Sequence, residues 1–130
     1  MAQITEDYVS FEIAKLLKEK GFVISYDSFR GVYINGEFLR RNPGQAYLHN
    51  TGDEIIEVCS IQMAMKWLRE VHNLHIQPEI TAWPRKGYFI KIYLYKNCHN
   101  NFEKVTFVEH KETYEEACDA AIKYCLKNLV

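Results

Sequence analysis

The sequence lacks two features that would assign it at once to a broad class of protein. No apolar run approaches the roughly 20 residues that a membrane-spanning helix needs. Neither sign of charge dominates, because 17 acidic residues stand against 16 basic ones and the formal net charge is −1. A dedicated nucleic-acid binder carries a clear positive excess, so only a local basic patch could serve that role here. We therefore expect no membrane partner and no partner attracted by net charge alone.

Cysteine patterns typical of zinc sites and redox enzymes are also missing. The four cysteines, Cys59, Cys98, Cys118 and Cys125, form no C-x-x-C pair. Cys118 and Cys125 lie seven residues apart on one predicted helix, so their Cα atoms are about 10 Å apart, too far for a disulfide. The first residues contain no basic segment followed by an apolar core, which a secretory signal would need. We therefore expect reduced, mostly buried thiols in a cytoplasmic protein.

Motifs that carry chemistry are absent as well. The sequence has no G-x-S-x-G nucleophile elbow, and its six glycines are scattered instead of forming a phosphate-binding loop. His72 and His75 have a spacing that can place two metal ligands on one helical face, but the helix is predicted to end between them. We therefore predict no catalytic residue, no metal site and no cofactor, and a protein that is not an enzyme.

What the sequence does contain is a clear order of helices and strands. Its length and its 48% hydrophobic residues suit one domain with one core. The spacing of apolar residues predicts an α+β fold with an antiparallel sheet and helices on one face, in which 1–58 precedes an αβββα half at 59–130. The predicted elements are a helix at 10–20, a hairpin at 31–39, a loop at 40–53, a short strand at 54–58, a helix at 60–73, strands at 74–82, 88–96 and 103–109, and a helix at 113–129.

Local signals mark the helix starts and the hairpin. Ser10 is a good N-cap for the first helix. Asn35-Gly36 between two apolar runs is the strongest short hairpin signal, since both residues tolerate positive φ. Thr113 and Glu116 have the spacing of a capping box at the start of the last helix. The predicted apolar stripe at 60–73 is Ile61, Ala64, Trp67, Leu68 and Val71, and the stripe at 113–129 is Tyr114, Ala117, Cys118, Ala121, Ile122, Cys125 and Leu129.

Apolar alternation in the two long strands predicts which face each side chain takes. The alternating sets are Leu74, Ile76, Ile80 and Ala82 in the first strand and Tyr88, Ile90, Ile92 and Leu94 in the second. If both sets face one side, the loop between them is odd-numbered, and Ile80 is predicted to pair with Ile90. Pro78 cannot donate a ladder hydrogen bond, so its strand should be an edge or be bulged at that position. The predicted core is Trp67, Leu68, Ile90, Ile92, Ala121 and Ile122.

Three runs of the sequence resemble a known group of proteins. They are SIQMAMKWLREVHNLHI at 60–76, GYFIKIYLYKN at 87–97 and TYEEACDAAIKYCLKNL at 113–129. They look like a group of small uncharacterised proteins from gut bacteria, their phages and mobile elements, and the resemblance covers most of the chain. It implies an accessory protein of phage or mobile-element origin and brings no activity with it.

The C-terminal half also resembles the double-stranded-RNA-binding domain. That domain has the same helix, three strands and helix, and its alanine-rich last helix is similar to ACDAAIKYCLKNL at 117–129. The family contacts RNA phosphates through lysines at the start of this helix, where this sequence has Glu115 and Glu116. Two carboxylates there suit the helix dipole and would repel a phosphate. The resemblance therefore implies the fold and argues against the RNA-binding activity.

One strand face is the candidate binding surface. Side chains out of phase with the apolar set at 88–96 include three aromatic rings and a lysine, and the preceding turn adds a tryptophan and two basic residues. The candidate residues are Trp83, Arg85, Lys86, Phe89, Lys91, Tyr93 and Tyr95. A sheet face of this composition can stack bases or hold a protein. Three explanations for the rings stay open: cover by the N-terminal hairpin, a homodimer through this face, or an unknown partner.

The sequence favours a non-enzymatic protein-interaction or accessory protein. The missing catalytic motifs and the aromatic strand face are the observations behind this prediction. One alternative is a nucleic-acid-binding module that uses the strand face or the Arg85-Lys86 turn, and it would need a continuous positive surface. A small enzyme is the last alternative, and it would need a deep polar pocket with convergent titratable groups.

Overall fold

The computed structural model of the chain is α+β, with helices and two antiparallel sheets, which confirms the predicted fold class. The structure describes residues 7–24, 31–40, 50–82, 86–96 and 101–130. The chain divides into two compact units, Met1–Ser60 and Ile61–Val130, while the prediction of a single domain stays a prediction. The elements are α1 (Phe11–Glu19), β1 (Gly31–Ile34), β2 (Glu37–Arg40), β3 (Ile55–Val58), α2 (Ile61–His72), β4 (Leu74–Thr81), β5 (Gly87–Lys96), β6 (Asn101–Lys111) and α3 (Tyr114–Asn128).

The helix of the first unit begins where the sequence predicts. Ser10 is the N-cap, and its hydroxyl accepts a hydrogen bond from the Ile13 N–H at 3.4 Å. At the other end Gly21 has a φ of +93°, a left-handed backbone that glycine adopts without strain. The Phe22 N–H donates to the Leu17 carbonyl at 3.0 Å, which closes the last turn. Ile13 and Leu17 are buried, so this flank of α1 belongs to the core of the first unit.

The sheet of the first unit has the order β2-β1-β3, and both pairings are antiparallel. Asn35 and Gly36 form the predicted hairpin turn with φ values of +51° and +84°. The Val9 N–H donates to the Cys59 carbonyl at 3.1 Å, so the chain before α1 extends the pairing past the end of β3. Residues 41–49, most of the predicted loop, lie outside the described residues.

Aromatic rings pack together in the first unit. The ring centroid of Tyr33 lies 5.3 Å from that of Phe11 and 5.6 Å from that of Phe38, with edge-on geometry in both pairs. Tyr8 lies 5.5 Å from Phe38. The Phe38 ring also covers Gly31, where an added Cβ would come within 2.6 Å of the ring. A larger residue at this position would therefore displace the Phe38 ring.

The second unit is an antiparallel sheet of order β4-β5-β6 that packs against two helices. Helix α3 contacts all three strands, and α2 packs against β4 and α3. Ile90 and Ile92 lie under these helices and are fully buried. Strand β4 is at the edge of the sheet, as Pro78 predicts. The order αβββα of the predicted C-terminal half is confirmed.

The register between β4 and β5 differs from the predicted one by two residues. Ile80 pairs with Tyr88, and Pro78 pairs with Ile90, so the prediction of Ile80 opposite Ile90 is wrong. The connecting loop, 82–86, is odd-numbered as predicted. A shift of two residues leaves every side chain on its predicted face, because side chains alternate with a period of two. The apolar pattern alone therefore does not separate these two registers.

Strand β6 is longer than predicted, and its pairing with β5 is irregular. It covers Asn101–Lys111 instead of 103–109. The register shifts twice, and each shift adds one residue to β6. Near one of these bulges the His110 ring lies against Gly87 and leaves no room for a Cβ. The close approach explains why β5 begins with glycine.

The core of the second unit agrees with the prediction in the sheet and α3, and differs in α2. Five of the six predicted residues are 0% exposed, namely Leu68, Ile90, Ile92, Ala121 and Ile122. Trp67 is only partly buried and Val71 is 57% exposed, so their predicted inward positions are wrong. The buried stripe of α2 is Ile61, Ala64, Met65 and Leu68. Its spacing of i, i+3, i+4 and i+7 turns Met65 inward instead of Trp67. Ile80, near the end of β4, is 68% exposed.

Helix α3 has the Thr113 half of the predicted capping box and most of the predicted apolar stripe. Tyr114 and Leu129 of that stripe are only partly buried, and Leu126, which was not predicted, is buried. The Thr113 hydroxyl is the N-cap and accepts a hydrogen bond from the Glu116 N–H at 3.1 Å. Ala117 and Ala121 are 0% exposed, and their short side chains allow the helix to lie close to the sheet. None of the helices in the described residues is long and apolar enough to cross a membrane.

The described cysteines are buried thiols, as predicted. Cys59, Cys118 and Cys125 are at most 5% exposed and form no disulfide. Burial raises the pKa of the Cys118 thiol to about 11 and that of the Cys125 thiol to about 12. Both thiols are therefore protonated, and poor nucleophiles, at neutral pH. Cys98 lies outside the described residues.

Candidate functional site

The candidate surface occupies the side of the β4-β5-β6 sheet that faces away from Ile90 and Ile92. Its β5 members alternate with these two buried residues and therefore point to the other side. They are Phe89, Lys91, Tyr93 and Tyr95. We call these residues and their β4 neighbours His75, Gln77, Glu79 and Thr81 the aromatic face. In the observed register His75 lies opposite Tyr93, Gln77 opposite Lys91 and Glu79 opposite Phe89.

The rings of the aromatic face are covered incompletely. Phe89, Tyr93 and Tyr95 each keep an intermediate exposure, whereas Ile90 and Ile92 on the other side of the strand are 0% exposed. A tyrosine combines an apolar ring with a hydroxyl that stays hydrated, so it tolerates water on one side and a partner on the other. The face therefore offers apolar contact area that the described chain does not fully cover.

Lys91 on the aromatic face forms an ion pair with a glutamate on the neighbouring strand. Lys91 Nζ lies 3.1 Å from Glu79 Oε1. The two residues occupy diagonal positions on β5 and β4, a separation that long side chains can bridge. Their side chains are 31% and 34% exposed, so solvent screens the pair and it contributes about 0.2–1 kcal/mol to stability at most. Its larger consequence is that Lys91 brings no net positive charge to the face.

His75 borders Tyr93 on the same face. Partial burial, and next to it the Arg69 guanidinium, lower the pKa of the His75 imidazole below its usual value. A lowered pKa keeps the imidazole neutral at pH 7. His75 therefore adds no positive charge to the aromatic face.

The predicted basic turn is described only in part. Trp83 and Arg85 lie outside the described residues, and Lys86 is exposed just before β5. Four of the seven predicted surface residues therefore share one face, and a fifth precedes it. Glu115 and Glu116 are exposed in the first turn of α3, where their carboxylates suit the helix dipole and would repel a phosphate.

The histidine pair does not resemble a metal centre. His72 packs edge-on against Trp67, with 4.6 Å between the ring centroids. Among the described residues, no cluster of three or more His, Cys, Asp or Glu side chains is placed to hold a metal ion.

An apolar cleft in the first unit was not indicated by the sequence. Its volume is about 190 Å³, and it lies between α1 and β3. The lining residues are Ala14, Lys18, Phe22, Val23, Ile24, Ile55 and Glu57. Sites for whole small molecules usually measure about 300–1,000 Å³, so this cleft suits one side chain or a short piece of chain. The sequence signal for this cleft was the apolar run Phe22-Val23-Ile24 directly after the end of α1. Phe22 in this run also closes the last turn of that helix.

Comparison of the chain with protein-family models, with curated proteins and with solved structures finds no match. The likeness to the double-stranded-RNA-binding domain and the resemblance to small proteins of gut bacteria, phages and mobile elements both stay predictions.

Proposed function

We propose that this protein is a non-enzymatic interaction protein that binds a protein partner through the aromatic face. The observation that carries the proposal is the presence of three partly exposed rings around an internally neutralised lysine on one sheet face. Aromatic residues are enriched in protein interfaces, whereas uncompensated charge is depleted from interface cores. A cytoplasmic location and an origin in a phage or mobile element belong to the same proposal.

Charge favours a protein partner over a nucleic acid. A stacking platform for single strands combines aromatic rings with positive charge that follows the phosphates. Lys91 is paired with Glu79, and the lowered pKa of His75 keeps that imidazole neutral. The nucleic-acid hypothesis therefore depends on Lys86 with the rest of its turn, and on Lys104, which is exposed on β6 opposite Tyr93. We expect the protein to pass through a heparin column at low salt, and retention that disappears with added salt would favour nucleic acid.

A photo-crosslinking side chain placed on the aromatic face tests the proposal. Gln77 is exposed and lies opposite Lys91, so a benzophenone side chain at this position would reach a bound partner. Lys66 is exposed on α2 and provides the matched control position. Irradiation of cells that make the protein should give a defined protein adduct from position 77 and none from position 66. The mass of the adduct identifies the partner as a second copy or a different protein.

The substitution Tyr93→Glu provides the loss-of-binding control. The change removes the ring, and its carboxylate would be desolvated in the complex opposite Lys104 of β6, a cost that an ion pair repays only with excellent geometry. The adduct from position 77 should therefore disappear, while the unfolding midpoint of the protein changes little. Equal labelling from Gln77 and Lys66, or an adduct that survives Tyr93→Glu, would contradict the proposal.

A further inference from the structure

The pairing of β1 with β3 determines which main-chain groups of β3 point outward. In an antiparallel pair, opposite residues alternate between pairs that exchange hydrogen bonds and pairs that do not. The Asn35 N–H donates to the Glu54 carbonyl at 2.8 Å, so these two residues form a bonded pair. Along the same register, Ile55 and Glu57 fall in the pairs without hydrogen bonds. Their N–H and C=O groups therefore point away from β1.

Two contacts on the outer edge of β3 agree with this direction. The Ile55 carbonyl accepts a hydrogen bond from Lys18 Nζ at 3.0 Å. The Cys59 carbonyl accepts one from the Val9 N–H at 3.1 Å, within a short antiparallel bridge. One end of this edge thus already binds extended chain. The pairing stops because Ser10, the N-cap, turns the chain into α1.

The next stretch of the edge, at Glu57, combines main-chain groups with the apolar cleft. Within the parts of the chain that the structure describes, no other main-chain group pairs with the outward N–H or C=O of Glu57. The cleft borders this stretch, and Val23 on its wall is 85% exposed. We propose that an extended segment of another protein binds here, with its main chain paired to Glu57 and one apolar side chain in the cleft. This surface belongs to the first unit and does not depend on the aromatic face.

The chemistry of the edge defines the peptide that fits it. Main-chain hydrogen bonds supply affinity in strand addition, and a side-chain pocket supplies selectivity. The cleft holds about 190 Å³, and its walls are apolar except for Lys18 and Glu57, which carry opposite charges. A matching segment is therefore extended, uncharged at this position, and rich in residues that favour strands, with a branched apolar residue for the cleft.

The substitution Glu57→Pro tests the main-chain pairing by itself. Proline removes the outward N–H, which makes no bond to β1, and an edge strand tolerates proline in this orientation. Glu57→Ala removes the same carboxylate and keeps the N–H, so it is the matched control. The probe is a phage-displayed library of random peptides selected on the full-length chain. Binding of the enriched peptides is then measured on the parent chain and on both variants.

We expect the enriched peptides to bind the parent chain and Glu57→Ala alike, and to bind Glu57→Pro about tenfold more weakly, the effect of one lost hydrogen bond. N-methylation of the peptide at alternate positions should weaken binding to the parent chain in the same way, which keeps the test valid if Glu57→Pro fails to fold. Failure to enrich a peptide, equal binding to Glu57→Pro by a folded variant, or tolerance of N-methylation at every position would overturn the proposal. Self-association that Glu57→Pro abolishes would assign the edge to a second copy and also overturn it.

Discussion

The two faces of β5 are built from neighbouring residues and differ in almost every physical respect. Ile90 and Ile92 are 0% exposed under the helices, whereas Phe89, Lys91 and Tyr93 keep partial exposure on the other side. Burial of aliphatic side chains supplies much of the stability of a fold. Partly covered rings beside a neutralised lysine leave apolar area for contact with another protein. One strand can thus stabilise the unit through one face and, in our proposal, bind a partner through the other.

The largest effect should follow from truncation on the helix side. Ile92→Ala removes most of a fully buried side chain and should lower the free energy of unfolding by about 2–5 kcal/mol. Urea denaturation followed by circular dichroism measures the loss. Gln77→Ala, an exposed change on the aromatic face, is the control and should cost about 0.5 kcal/mol or less. A loss below about 1 kcal/mol for Ile92→Ala would mean that the faces of the strand are inverted.

A smaller loss should follow when the helix side is overpacked. Ala121 is 0% exposed, so Ala121→Leu forces bulk between α3 and the sheet and should cost about 1–3 kcal/mol. Ala120 is partly exposed on the same helix, and Ala120→Leu should be nearly neutral because leucine is a good helix former. The same urea titration compares the two variants. Equal losses would contradict close packing of Ala121 between α3 and the sheet.

The smallest effect should appear at the ion pair on the aromatic face. A double-mutant cycle with Lys91→Ala and Glu79→Ala should give a coupling energy of about 0.2–1 kcal/mol. The coupling should shrink at about 1 M salt, since mobile ions screen partly exposed charges. A coupling of zero at low salt would mean that the 3.1 Å pair does not persist in solution. In that case Lys91 would present its charge, and the nucleic-acid hypothesis would regain support.

Local sequence signals predicted most of the element order, because each depends on a few neighbouring residues. Asn35-Gly36 forms the hairpin turn, and Thr113 caps α3 through its own hydroxyl. The β4–β5 register was not predictable in this way, since a two-residue shift keeps Ile80 and Ile90 on the same face. The bulges in β6 were not predictable either, because the apolar pattern assumes a strict period of two.

The predicted orientation of α2 was wrong for a related reason. Trp67 and Met65 are both apolar, and either can join a stripe that contains Ala64 and Leu68. The structure turns Met65 inward and leaves Trp67 partly exposed against His72. Contact with β4 and α3 decides this rotation, and a single amphipathic sequence does not contain that information.

The aromatic face was predictable because it follows from the alternation of side chains along one strand. Features that need contact between distant segments were not predictable. Period-two alternation placed Phe89, Tyr93 and Tyr95 on one face. The ion pair is compatible with both registers, because Glu79 lies opposite Lys91 in the predicted register and diagonal to it in the observed one. The cleft beside β3 needs 22–24 and 55–57 in contact, two segments that no local pattern connects.

The free energy of unfolding of Tyr93→Ala tests most directly whether the aromatic face binds a partner or packs within the fold. It is measured beside Ile92→Ala at low protein concentration, where self-association adds no stability. If the face is a binding surface, loss of the ring should cost less than about 1 kcal/mol, well below the cost of Ile92→Ala. If the ring belongs to a second core layer of the same chain, its loss should cost about 3–5 kcal/mol, and that result would contradict the proposed function.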